Sequence, residues 1–137
     1  MRREMYEKIL ARLKERVPEI EHYDLWNENV DYVEQETAWS RPAAFVEFGT
    51  IGWTALTGRP AYKGTGKVLV HVVTDWDPED APGAGLQLSD KVAKALAGLS
   101  GDYFQALEMS ATYTNHNHEY LVDNVEEFSV RCVRSVD

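Results

Sequence analysis

The chain has few of the residues that cross-link a protein and no obvious segment that would hold it in a membrane. Among its 137 residues there is one cysteine, Cys132, and a chain of this length buries about two-thirds of its unfolded surface without disulfides or structural metals. No apolar run approaches the roughly 20 residues of a membrane span. The start, Met1 to Glu4, lacks the apolar segment of a signal peptide. We therefore expect one soluble domain, residues 1–137, made in the cytoplasm without membrane contact.

Recognisable catalytic and phosphate-binding motifs are also missing. No serine lies in a Gly-x-Ser-x-Gly turn. Gly64 to Lys67 resembles a phosphate-binding loop, but the motif's first glycine would fall on Ala61, and a strand-like run follows where the motif needs a helix. This segment is predicted to be a tight turn. The sequence thus favours a protein without catalytic activity or a cofactor.

Basic residues are absent from one long stretch. Residues 17–40 hold seven Asp or Glu and no Lys or Arg, whereas residues 1–16 hold six Lys or Arg and three Glu. The net charge is −9. An acidic surface repels a phosphate backbone, so we expect no contact with nucleic acid unless the basic residues form a local patch.

Hydrophobic spacing predicts the elements of the first half. Met5, Ile9 and Leu13 recur at helical spacing before Pro18, which predicts a helix over residues 3–16. Strands are predicted at 20–26, 42–49 and 68–74, the last apolar on both sides and therefore central. Residues 53–56 are interpreted as a hairpin partner of 42–49, with turn chemistry at 57–60.

The second half predicts another helix and two strands. Leu88, Val92 and Leu99 mark the helix, which Gly98 or Gly101 ends. Alternation over residues 103–113 predicts a half-buried strand, and a polar turn at 114–119 leads to a last strand at 125–133. Phe128, Val130 and Cys132 should face inward there. The fold class is thus α+β, a two-layer arrangement with two helices on a mixed, mostly antiparallel sheet of four to five strands.

The connection from Gly49 to Gly66 is the most informative stretch, because it is long and rich in glycine and aromatic residues. A long connection between strands is suited to contacting another surface. Aromatic residues and arginine are also enriched at interface hot spots. We therefore predict a subunit or partner interface at five residues of this segment and the strand after it: Trp53, Arg59, Tyr62, Lys63 and Lys67.

Histidines provide the alternative candidates for a site. His116 and His118 alternate and could place two imidazoles beside a metal, but no third ligand is evident nearby, so no metal site is predicted. His71 lies between valines in the central strand, where a hydrogen-bonded core residue or a subunit-interface residue is the usual role. A small-molecule-binding or hydrolytic domain using His71 or the pair His116 and His118 stays open as a second hypothesis.

The order of elements resembles that of a known family. The first helix, Tyr6-Glu7-Lys8-Ile9-Leu10-Ala11-Arg12-Leu13, precedes Val17-Pro18, and Arg41-Pro42-Ala43-Ala44-Phe45-Val46-Glu47-Phe48 follows further on. The ending, Thr114-Asn115-His116-Asn117-His118-Glu119 and then a strand from Val125 to Val133, completes the pattern. Over nearly its whole length the chain is similar to the tail terminator, or tail-completion, proteins of tailed bacteriophages and prophages.

This resemblance implies a structural protein of the virion tail, assembled in the bacterial cytoplasm. Such a subunit forms a hexameric ring that ends growth of the tail tube and helps to join head and tail. Its partners would be copies of itself, tail-tube proteins and head-completion proteins, and no cofactor would be involved. A third hypothesis is a non-viral protein-interaction module that uses the aromatic residues and forms no ring.

Overall fold

Two helices pack on one side of a five-stranded sheet, so the predicted α+β class is confirmed. The computed structural model describes residues 1–27, 39–76, 83–115 and 120–136. None of the helices in these ranges is long and apolar enough to cross a membrane. In chain order the elements are α1 (Arg2–Arg16), β1 (His22–Leu25), β2 (Ala43–Ala55), β3 (Ala61–Asp75), α2 (Ala84–Leu96), β4 (Glu108–Asn115) and β5 (Leu121–Ser135).

The sheet has the order β1-β2-β3-β5-β4, which places β3 in the middle as predicted. Only β1 and β2 run parallel, and every other pair is antiparallel. β3 pairs with β5 along its full length, from Ala61 opposite Ser135 to Asp75 opposite Leu121. The mixed, mostly antiparallel sheet of the prediction is confirmed.

The main core lies between the sheet and the helices. Met5, Ile9 and Leu13 of α1 are fully buried, as their helical spacing predicts. They meet alternate residues of the strands, because successive strand side chains point to opposite faces. From the sheet these are mainly Val68, Val70 and Val72 of β3 and Phe128, Val130 and Cys132 of β5. We call the side of the sheet that carries these residues the helix side and the opposite side the open side.

The segment from Gly49 to Gly66 is not a connection between strands. β2 continues through a bulge between Phe48 and Ile51 to Ala55, and β3 begins at Ala61. Trp53 lies opposite Gly64, so the prediction that residues 53–56 form the hairpin partner of 42–49 is wrong, as is the tight turn predicted at Gly64 to Lys67. Gly49, Gly52, Gly64 and Gly66 are strand residues, and only the turn at residues 57–60, which contains Gly58, is confirmed.

Glycine in this hairpin makes room for larger side chains. A Cβ at Gly64 would lie 2.8 Å from Ile51 Cγ2 and from Trp53 Cζ3, which is closer than real Cβ contacts. Ile51 and Trp53 therefore lie across Gly64, and both pack against the main core. The glycine lets an aromatic ring lie across the sheet at this position.

The strand predicted at residues 103–113 begins later and is less buried than expected. β4 starts at Glu108, and only Phe104 of the preceding segment makes a bridge, to Cys132. Phe104 and Leu107 are buried, but six of the eight residues of β4 are exposed. The alternating pattern predicted that one face of this strand is buried against a second layer. At the edge of the sheet, β4 is instead largely exposed.

α2 ends at Leu96, and Gly98 follows with φ of +86°. A left-handed residue just after a helix is a common stop, and glycine adopts it without a Cβ penalty. Leu99 is buried but lies beyond the helix. The prediction that Gly98 or Gly101 ends this helix is confirmed at Gly98.

Candidate functional site

The five predicted interface residues lie at one end of the sheet, around the hairpin that joins β2 and β3. We define the arm as residues 51–55 of β2, 61–67 of β3 and 129–135 of β5, together with the turn at 56–60. Trp53 lies on β2, Arg59 in the turn, and Tyr62, Lys63 and Lys67 on β3. All five are thus on one hairpin, but the alternation of strand side chains divides them between the two sides of the sheet.

The aromatic residues of the arm are on the helix side. Trp53 is half-buried and packs against the main core, while Tyr62 is 39% exposed. The guanidinium carbon of Arg134 lies 4.7 Å from the centre of the Trp53 ring, a distance typical of a cation–π contact. Trp53 is therefore largely satisfied within its own chain, and Tyr62 is the more accessible aromatic residue.

Three basic residues of the arm are on the open side. Lys63 and Lys67 alternate along β3 and are exposed, and Arg131 lies between them on the paired strand, opposite Thr65. We call Lys63, Lys67 and Arg131 the basic strip. Arg131 was not predicted, because its position beside the lysines depends on the pairing of β3 with β5. Arg59 is exposed at the turn beyond the strip.

Next to the basic strip the open side has a shallow groove of about 620 Å³. Lys67 crosses it, with Nζ donating to Ser129 Oγ at 3.0 Å and lying 3.9 Å from Glu127 Oε2. Other polar residues that line the groove are Thr50, Thr65, Gln105, Glu108 and Arg131. The lining favours contact with a polar surface, since the cations Lys67 and Arg131 and the acids Glu108 and Glu127 lie among hydroxyl and amide groups.

A buried charged cluster lies on the open side at the other end of the same strands. Nδ1 of His71 is 3.1 and 3.0 Å from the two carboxylate oxygens of Asp123, and Nε2 is 2.7 Å from Glu47 Oε1. Asn115 Nδ2 donates to Asp123 Oδ2 at 2.9 Å. The prediction of a hydrogen-bonded histidine in the core is confirmed.

The environment of His71 favours its protonated form. Burial by itself lowers the pKa of the imidazole, but the hydrogen bonds and negative charges of Asp123 and then Glu47 outweigh it, so the pKa is raised above its ordinary value. Both ring nitrogens then donate to carboxylates. A histidine held between two acids has no free nitrogen to take a proton from a substrate, so this geometry does not favour a hydrolytic role for His71.

Trp26 and Trp39 cover this cluster and a small second core. The ring of Trp26 stacks on His71 with 3.7 Å between ring centres and an angle of 0°. Trp39 packs edge-on against Phe45 at 4.9 Å, and Arg41 lies over Trp39 while its Nε donates to Asp75 at 2.5 Å. The spacing of these two tryptophans in the sequence gave no sign that they converge.

The remaining sequence candidates fall outside the described residues. These are His116 and His118, the histidine pair of the second hypothesis. Within the ranges that the structure describes, no group of three or more His, Cys, Asp or Glu is arranged to hold a metal ion.

Comparisons with known proteins find structural likeness but no relative by sequence. No family model matches the chain, and no curated protein matches it. Among solved structures it is similar to a chain from the "Virion of native gene transfer agent (GTA) particle", with a TM-score of 0.52 and 13% sequence identity. The likeness covers 92% of this chain and 84% of that chain. At this identity the two chains share a fold.

Proposed function

We propose that the chain is a structural subunit of a phage-like particle that forms a ring, most simply of six copies, at the end of the tail tube. The ring ends tube growth and offers a surface for joining the head, without catalytic turnover or a cofactor. The observation that carries this proposal is the likeness to a virion chain over 92% of this chain. A likeness that was confined to a common motif would cover a much smaller share of the chain.

The charges of the described surface suit head-to-tail association. A closed ring of more than two subunits needs two different patches that meet between neighbours. One patch is the basic strip with Arg59 beyond it. The other is the acidic side of β1, where Glu21 and Asp24 are exposed at the start of the stretch that lacks Lys and Arg. The two patches lie on different parts of the subunit, as a ring requires.

Salt should weaken this association, because exposed ion pairs are screened over about 10 Å at 0.1 M. Sedimentation of the full chain at low and high salt, alone and with isolated tail tubes, measures the effect. We expect ring-sized species, or bound rings at tube ends in electron micrographs, that decrease as salt rises. A protein that stays monomeric at all concentrations and binds no tubes would refute the proposal.

Charge reversal on the arm separates specific contact from net charge. Lys63→Glu changes a residue of the basic strip, whereas Lys94→Glu makes the same change at an exposed residue of α2. We expect only the first to raise the concentration needed for assembly, by about tenfold for a lost exposed charge pair that becomes repulsive. Equal effects of both variants would show that overall charge, not the strip, governs assembly.

Hydrogen exchange tests the predicted interface at residues 49–66 directly. We expect the amides of Thr57 and Gly58, which lie in the exposed turn of the single chain, to exchange more slowly after assembly. Unchanged exchange through a demonstrated association would remove this segment from the interface.

A further inference from the structure

The β4 side of the sheet presents an open strand edge. β4 is the last strand in the order, and no described residue pairs with its outer backbone. Unpaired amides and carbonyls on such an edge form a template for another strand. Natural proteins usually protect edges with lysine, proline or a cover, but β4 contains no Lys, Arg or Pro, and its one charged residue is Glu108 at the start.

Side chains hold this exposed strand firmly to its neighbour. Four residues of β4 make hydrogen bonds back to β5, so the strand is ordered although little of it is buried. The bonds are Ser110 to Glu127 at 2.8 Å, Thr112 to Glu126 at 2.5 Å, Thr114 to Asn124 at 2.5 Å, and Asn115 to Asp123 at 2.9 Å. An edge that is already fixed loses little conformational entropy when it pairs.

A second open edge lies on the far side of the same sheet. β1 pairs with β2 only over Ala43 to Val46, and the amide of Trp26 bonds to the carbonyl of Val46. Among the described residues nothing pairs with the outer edge of β2 from Phe48 to Ala55. This stretch also carries no charged residue. The subunit thus has two different edges, which is the condition for head-to-tail pairing.

We propose that β4 of one copy pairs antiparallel with residues 48–55 of β2 in the next copy, so that the sheet continues from subunit to subunit. The partner is a second copy of this chain, because each copy supplies both edges. This inference rests on the ring of the proposed function and names the contact that builds it.

The register of the sheet is compatible with closure. Asn115 is level with Ala43, through Asp123 and Val73, and Met109 is level with Phe48, through Phe128 and Val68. Side chains that share a face must meet, so the shift is even, and a shift of about four residues, or about 14 Å along the strands, places Met109 opposite Trp53. Four strand spacings separate the copies by about 19 Å. The strands then tilt about 35° from the ring axis, as in closed sheets.

The side chains that would meet are also compatible. Met109 is 63% exposed, and its place opposite Phe128 puts it on the helix side. Trp53 and Ile51 are on the same side of β2 and pack against the main core. Antiparallel pairing brings the thioether beside these apolar residues of the next copy, and it removes an exposed apolar side chain from water.

The test places a lysine on the edge and measures assembly. Met109→Lys adds the charge that natural edge strands use against pairing, and Leu86→Lys, on α2 and 53% exposed, is the matched control. We expect Met109→Lys to raise the concentration for half-assembly, with or without tail tubes, by about tenfold or more, and Leu86→Lys to leave it unchanged. Circular dichroism confirms that both variants fold.

Hydrogen exchange of the full chain distinguishes the possible failures. If amides of both β4 and residues 48–55 slow on assembly, the pairing is supported. If rings form but either edge exchanges as in the monomer, or Met109→Lys assembles like Leu86→Lys, the pairing is refuted and the ring function stands. If the wild type neither assembles nor binds tail tubes, both proposals are refuted.

Discussion

Replacing His71 tests whether the buried cluster on the open side stabilises the fold. The variant His71→Leu keeps a side chain of similar size but removes the cation that lies between Asp123 and Glu47. Two carboxylates would then face each other, and Asp123 would lose its charge partner at a position where its side chain is 1% exposed. We expect a large loss of stability from this single change.

The magnitude follows from the burial of each partner. Breaking a buried ion pair from one side costs about 3–5 kcal/mol, because the remaining charge is neither solvated nor paired. Asn115 still donates to Asp123, and the Glu47 side chain is 38% exposed and can recover water. The expected loss in the free energy of unfolding is therefore about 3 kcal/mol, at the lower end of that range.

The pH dependence has a definite sign. The pKa of His71 is raised in the folded protein, so its contribution is complete below the unfolded pKa of about 6.5 and is lost as pH rises through the folded pKa. The difference in unfolding free energy between the wild type and His71→Leu should therefore be larger at about pH 6 than at about pH 9.

Urea unfolding followed by circular dichroism measures both effects. The double variant His71→Leu with Asp123→Asn is the control, because it removes the buried charge together with its partner. It should recover at least about 1 kcal/mol of the loss. A loss under about 1 kcal/mol for His71→Leu, or a difference that grows as pH rises, would contradict the reasoning.

Three further predictions concern the core, the hairpin and metal content. Phe128→Ala should lower the free energy of unfolding by about 3–5 kcal/mol in denaturant titration, because the ring is fully buried. Gly66→Ala should destabilise by about 2 kcal/mol, since its Cβ would lie 2.6 Å from a carbonyl oxygen, whereas Gly52→Ala, with 3.9 Å, should be neutral in the same assay. Protein purified without a histidine tag should contain no stoichiometric metal, and about one zinc per chain would instead indicate that His116 and His118 belong to a metal site.

Local pattern predicted the helices and the central strand but not the long hairpin. The spacing of Met5, Ile9 and Leu13 reflects one buried face, which depends only on neighbours in sequence. The path of β2 and β3 depends on Gly64, where a tryptophan from the opposite strand occupies the missing side chain's space. A glycine that serves cross-strand packing has the same sequence signal as one that serves a turn.

The candidate site shows the same limit. Lys63 and Lys67 could be predicted as exposed cations. Arg131 lies beside them only because β5 pairs with β3, which places it opposite Thr65, 66 residues earlier in the sequence. His71 could be predicted as a core residue. Its partners Asp123 and Glu47 could not, because acids on separate strands give no local pattern.

Cys132 has a practical consequence for experiments on assembly. It is the one cysteine in the sequence, it is 2% exposed, and burial raises the pKa of its thiol, so little reactive thiolate is available in the folded chain. A cysteine introduced on the surface away from the proposed contacts, for example at Leu86, can therefore carry a fluorophore or spin label while Cys132 stays in place. Distances between labels on neighbouring copies can then be measured in the otherwise native protein.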